Sequence, residues 1–212
     1  MALKNAIFDA TVFNYFLKIT AVDLEPIVRS LISEKVLIPS QVVSEIEVLM
    51  HLEPKFKAKI NRWIDLSHRR SFYHYCDTYD SIVLALIREK LDEGEAGAIA
   101  QAEKTKVVWF ISDDYKNSEF IWENYRNIRL HSTFFLIALA DISGLLKDYE
   151  KVIVDFLRVM KYEKFKKSKK KNLKTLIRSD YIEALKLKGL RLDKRLVSKR
   201  TSIDTIFKNA GF

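Results

Sequence analysis

Short apolar runs alternate with amphipathic stretches along the front of the chain, and the two periods are separable by eye. Asn5 to Phe8 is a short apolar segment bounded by Asp9 and Thr11. Val12, Phe13, Phe16 and Leu17 then recur at i, i+1, i+4 and i+5, one face of a helix. A second helix is predicted after Glu25-Pro26, because proline suits a first helical turn and Ile27, Leu31 and Ile32 face inward. Val36 to Pro39 reads as a buried strand stopped by proline. Ser40 suits the N-cap of the next helix, carried by Val42, Val43, Ile46 and Leu49. A Lys/Arg-rich connection holding Ile60, Trp63 and Ile64 leads to the aromatic, strand-like run Phe72 to Cys76.

Two helices in tandem follow, from Ser81 to Leu91 and beyond Gly94, the second rich in alanine. Val107 to Ile111 is the clearest buried strand and ends in Ser112-Asp113-Asp114. A short helix, a weak strand at Ile128 to Leu130 and an apolar helix from Thr133 to Leu146 complete the series. Strands alternating with helices imply a parallel sheet covered on both faces. Residues 1–146 are therefore predicted to form an α/β fold, a three-layer α/β/α sandwich around a central parallel sheet.

Residues 147–212 differ in kind and are predicted to be a basic α-helical extension. Val152, Ile153, Phe156, Leu157 and Met160 form an apolar helical stripe that must dock on the sheet domain or on another chain. Lysine-dominated low complexity covers Lys161 to Lys174. Leu173, Leu176, Ile177, Tyr181, Ala184 and Leu185 mark another amphipathic helix, ending near Gly189. A last helix is expected from Ser202 to Asn209.

Charge sharpens this division. Residues 151–212 hold 19 Lys/Arg against 6 Asp/Glu, while residues 1–150 hold 18 against 22. An acidic front and a basic back call for separate explanations. Basic blocks attract polyanions through counterion release, and Lys166, Lys167, Lys169, Lys170, Lys171, Lys174, Arg191 and Arg195 are the candidate nucleic-acid contacts. A solvated, solubilising surface is the plainer alternative. One cysteine, Cys76, excludes an intramolecular disulfide, and its plainest role is as a small buried side chain. The longest apolar run, Phe134 to Ala140, falls far short of the ~20 residues a spanning helix needs, so a soluble cytoplasmic protein with no membrane partner is expected.

In an open parallel sheet, ligands bind outside the carboxyl ends of the strands. Asp9 and the pair Asp113-Asp114 fall there directly. Glu45 sits in the first two turns of the helix after Pro39, and Glu95 opens the alanine-rich helix. Unpaired carboxylates gathered in one pocket repel one another unless a cation neutralises them. Hard oxygen ligands suit Mg²⁺ or Mn²⁺, which orient and deprotonate water for attack on phosphorus. Taken singly, each acid has a plainer role: Asp9, Asp113 or Asp114 as a helix cap, Glu45 as a solvated ion-pair partner, Glu95 as a helix-dipole residue. Function is carried by the set. The four histidines lack zinc-site spacing, and no Gly-rich phosphate loop is present.

The order of these blocks resembles the PIN-domain nucleases. Ile7-Phe8-Asp9-Ala10-Thr11 looks like the family's opening, and Val36 to Glu45 is similar to its strand-proline-helix block with Glu. Leu91 to Ala100, with Gly94-Glu95-Ala96, resembles the Gly-Glu-Ala block of a subgroup related to the VapC toxins. Ile111-Ser112-Asp113-Asp114 matches the strand-end acid block, and Ser132-Thr133 stands where a Gly-Thr pair recurs. The resemblance implies a metal-dependent endoribonuclease with Asp9, Glu45, Glu95 and Asp114 as catalytic, metal-binding acids and Asp113 beside them. Thr11 would steady Asp9 or a metal-bound water. It further implies an RNA substrate, a small protein antitoxin and a homodimer. A non-catalytic RNA-binding scaffold and a DNA- or structure-specific nuclease are the alternatives. Gly97 in place of a second Glu, Tyr115-Lys116-Asn117 in place of arginines, and Ser132 in place of Gly depart from the subgroup pattern.

Overall fold

The computed structural model describes residues 3–69, 71–114, 116–162, 170–201, 206, 208 and 210, with the backbone alone at 161, 162 and 170–174. The chain forms two compact units, residues 2–14 with 32–131 and residues 15–31 with 132–212. The compact units do not divide at residue 146, the predicted end of the sheet domain, since residues 15–31 group with the C-terminal part.

The first unit holds the sheet. Its strands are β1 (Leu3–Phe8), β2 (Ile32–Pro39), β3 (Tyr73–Cys76), β4 (Trp109–Ile111) and β5 (Arg129–His131). They are ordered β3-β2-β1-β4-β5, and every pair is parallel. The fold class is the α/β arrangement with a parallel central sheet that the alternating pattern predicts. Ala6, Ile7 and Phe8 are fully buried, as expected of a strand enclosed on both faces. The strand order reverses on either side of β1, so the crevice between the ends of β1 and β4 is the topological switch point.

Helices α1 (Ala10–Lys18) and α2 (Leu24–Leu31) link β1 to β2, followed by α3 (Ser40–Leu52) and α4 (Lys57–His68). Ser40 does not cap α3. Pro39 occupies the cap position, and the Ser40 hydroxyl donates to Gln41 Oε1 at 3.0 Å. The expected connection around Trp63 is instead helix α4, because Ile60, Trp63 and Ser67 bury one face while its charges point to water. Phe13 packs against both Trp63 and Tyr73, with ring centroids 5.2 and 5.6 Å away. Cys76, expected to be buried, is only partly so.

Helices α5 (Ser81–Ile87), α6 (Glu93–Thr105) and α7 (Ser118–Asn124) complete this unit. Helix α6 begins before Gly94, not after it, because Asp92 caps it by accepting the Glu95 amide at 2.9 Å. Lys106 ends α6 in the left-handed region at φ 57°, and the chain enters β4 only at Trp109, leaving Val108 39% exposed at the rim.

In the second unit, α8 (Thr133–Ile142) stops short of the expected Leu146, with Gly144 beyond it at φ 69°. Helix α9 (Tyr149–Tyr162) buries the predicted stripe, and Phe156 lies 5.0 Å from Tyr15 and 5.9 Å from Phe134, centroid to centroid. Helix α10 (Lys170–Leu187) ends before Gly189, and α11 (Lys194–Arg200), absent from the sequence reading, is capped by Asp193. Asp141 accepts from Tyr181 Oη at 2.8 Å and pairs with Arg200 at 3.3 Å. The helix expected at Ser202 to Asn209 lies largely outside the described residues. No helix among those residues is long and apolar enough to cross a membrane.

Candidate active site

Strand register sets the site's foundation. Phe8 pairs with Ile111, so the next residues, Asp9 and Ser112, emerge side by side at the carboxyl edge. The Asp9 amide extends the ladder by donating to the Ile111 carbonyl at 3.0 Å. Asp9 is 5% exposed, and its Oδ2 accepts from Thr11 Oγ1 at 2.7 Å and from Ser112 Oγ at 2.8 Å. Those hydroxyls are held in turn: Thr11 Oγ1 accepts the Asp113 amide and Ser112 Oγ the Asp114 amide, each at 3.1 Å. Burial pushes the Asp9 carboxyl up, against the opposing pull of these hydrogen bonds and the Ala10 amide, and Asp92 raises it further.

Glu45 and Glu95 arrive on two helices that approach closely because one of them carries glycines. A Cβ at Gly94 would lie 2.5 Å from Glu45 Oε1, and one at Gly97 would collide with the Gln41 side-chain carbonyl. The α6 face at Gly94 and Gly97 thus receives the Gln41 and Glu45 side chains of α3. Glu95 is 2% exposed; its Oε2 accepts from Asn117 Nδ2 at 2.6 Å, and its Oε1 is buried with no hydrogen-bond partner.

The two glutamates titrate abnormally. Desolvation raises Glu95 to about 7 despite the Asn117 bond, and Asp92, Asp114 and Asp9 add repulsion. Glu45, although one side of it faces solvent, is likewise raised to about 7, by partial enclosure first and then by Asp9, Asp92 and Glu95. The fold therefore brings Asp9, Glu45, Glu95 and Asp114 into one negative field. Asp113, beside Asp114, donates its amide to Thr11 Oγ1. As the side chains stand, no three His, Cys, Asp or Glu groups among the described residues are close enough to share one ion. Asn117 holds Glu95, Thr11 and Ser112 together hold Asp9, and the Lys116 amide reaches Asp114 Oδ1 at 2.9 Å.

Residue by residue, two participants escaped the sequence reading. Asp92 was missed because α6 was expected to start two residues later, although an Asp three places before Glu95 is a capping signal. Asn117 was seen only as a departure from arginine, and nothing local announces a bond across 22 positions. Among the basic candidates, Arg191 and Arg195 are exposed. Lys166, Lys167 and Lys169 lie outside the described residues, and of Lys170, Lys171 and Lys174 only the helical backbone is described.

A family model described as a PIN domain (DUF3368) matches residues 5–179. The chain belongs to the PIN-domain family. Neither a comparison with curated proteins nor one with solved structures gives a match. Membership makes this a nuclease fold, of a family whose enzymes are generally hydrolases that use divalent metals. In this PIN domain the match runs beyond residue 146 into α10, so the family's unit includes much of the helical region set apart by its charge.

Proposed function

We propose that this PIN domain is a metal-dependent endoribonuclease. The observation that carries the reading is the buried, unpartnered Oε1 of Glu95, in a field where the proton affinities of Asp9, Glu45 and Glu95 itself are raised. A buried carboxylate oxygen without a donor is costly, and a hard divalent cation such as Mg²⁺ or Mn²⁺ satisfies it. Asp9, Glu45, Glu95 and Asp114 would hold that cation, with Asp113 adjoining. When bound, it supplies charge neutralisation at a phosphodiester and an acidified water as nucleophile.

The chain's own residues prepare the site. Thr11 and Ser112 fix Asp9 through paired hydroxyls on one oxygen. Asn117 fixes Glu95 through Oε2 and so orients Oε1. Asp92 sets the first turn of α6, and Gly94 admits the Glu45 carboxylate. The exposed Arg191 and Arg195, with the lysine-rich stretch before them in sequence, supply positive charge for an RNA backbone. Such contacts are largely sequence-independent.

The deciding experiment is digestion of RNA by the full chain with Mn²⁺, with EDTA, and with Asp9→Asn. Cleavage that EDTA stops and Asp9→Asn abolishes, with an unchanged melting profile, supports the reading. Tight RNA binding without turnover would replace it with a scaffold role, and parallel digestion of DNA decides the substrate class. The Gly94-Glu95-Ala96 block motivates a toxin role with a small protein antitoxin as partner. Growth arrest by the wild type, and not by Asp9→Asn, tests that role; a sizing column tests the homodimer implied by the same resemblance.

A further inference from the structure

At the far end of β4 from the carboxylates lies a cleft of about 420 Å³, lined by Glu103, Lys106, Val108, Arg126, Ile128 and Arg129 among others. Three cations face one acid there. Glu103 reaches Lys106 only at 3.9 Å, so that charge is weakly offset. Arg126 is exposed to solvent at the cleft. Arg129 lies with its guanidinium 5.2 Å from the Trp109 ring centroid, a contact that leaves its charge unneutralised.

The floor is apolar, with Val108 exposed at the rim and Ile128 buried beneath. Lys106 is the only non-glycine residue with positive φ among the described residues. That conformation is how α6 ends, Lys106 being its C-cap, and it sets Lys106 at the edge of the cleft. Its side chain is largely exposed beside the cleft, where its charge can reach an anion. Cations around an aliphatic floor suit a phosphate joined to a flat, partly apolar base.

The geometry points to a second phosphate-binding site, in which Lys106, Arg126 and Arg129 hold the backbone of a single-stranded nucleic acid and Val108 and Ile128 support its base. The proposal rests on the nuclease reading only for the identity of the strand. Val108 and Ser112 are about 13 Å apart along β4 at the usual strand rise. At about 3.4 Å per stacked nucleotide, a strand must have at least about four nucleotides to reach both ends.

The test measures binding without turnover. Full-length protein in EDTA is titrated with a fluorescent single-stranded RNA of about 12 nucleotides, over a series of salt concentrations. The double variant Arg126→Glu, Arg129→Gln is expected to bind about tenfold more weakly, with the log-affinity against log-salt slope reduced by about two. Lys106→Gln alone should reduce the slope by about one. Should the double variant fail to fold, Arg126→Gln takes its place, with the same single-unit expectation. Unchanged affinity and slope would overturn the proposal. So would saturation by a nucleoside monophosphate alone, read by tryptophan fluorescence, at concentrations where the RNA binds no better. Metal-dependent cleavage is scored separately with Asp9→Asn, so failure of the cleft and failure of the nuclease reading remain distinguishable.

Discussion

Replacing Glu95 by glutamine should stabilise the metal-free protein at mildly alkaline pH. Glu95 is buried, one of its oxygens has no donor, and its proton affinity is raised to about 7. A carboxyl raised on folding binds more protons in the folded state than in the unfolded one between its two pKa values. Stability is therefore lost as pH climbs from about 4.5 to about 7, and the loss is complete above that. At about 1.4 kcal/mol per pH unit, the full penalty is about 3 kcal/mol, and side-chain relaxation should roughly halve it. Glutamine keeps an oxygen for Asn117 and offers an N–H to the neighbouring acids. For a chain of this size, about 1.5 kcal/mol corresponds to a Tm gain of roughly 3–6 °C.

The assay is thermal unfolding by circular dichroism in EDTA, for wild type and Glu95→Gln, at about pH 5 and about pH 8. The two curves should nearly coincide at the lower pH and separate at the higher. Taking the difference between the proteins cancels titrating groups that Glu95 does not influence, whereas Glu45, which Glu95 repels, is relieved in the variant and adds to its gain at the higher pH. Saturating Mn²⁺ should reverse the order, because a ligand at about 100 times its Kd adds about 2.7 kcal/mol to a protein that binds it. A variant no more stable than wild type at about pH 8 would show that the carboxylates are not under electrostatic stress.

Three further outcomes follow from the same geometry. Asn117→Ala frees the Glu95 carboxylate and should weaken Mn²⁺ binding about 10–100-fold, measured by calorimetry, with little change in Tm. Gly94→Ala should raise or preserve stability by up to about 1 kcal/mol through helix propensity, yet it displaces the Glu45 carboxylate and should depress metal-dependent cleavage. Phe156→Ala removes a fully buried ring that touches Tyr15 and Phe134, and should cost about 3–5 kcal/mol in denaturant unfolding.

The parallel sheet was readable because its strands are short apolar runs with acids or turn residues at their ends. Asp9 and Asp114 could be placed at one edge from that alone. Strand order could not be read, since pairing of β1 with β4 is a contact between distant segments. Helix α4 was obscured by surface charge, as Lys57, Lys59, Arg62 and Asp65 mask the spacing of Ile60, Trp63 and Ser67. The start of α6 was misplaced because Gly94 looks like a helix breaker; its tolerance is explained only by the Glu45 side chain lying against it. Asn117 was invisible for a similar reason, its meaning being fixed by a partner on another helix. Local pattern thus reports periodicity and ends, whereas the packing of α3 on α6 depends on shapes the linear chain does not display.

The bond between Ser112 and Asp9 joins residues 103 positions apart. A ribosome adding about 5–20 residues per second needs several seconds to go from one to the other. Throughout that interval Asp9 has Thr11 two residues away but not the second of its two hydroxyl donors. A product terminated before Ser112 would contain Asp9, Glu45 and Glu95 but lack the second hydroxyl on Asp9 and the strand-end acid Asp114.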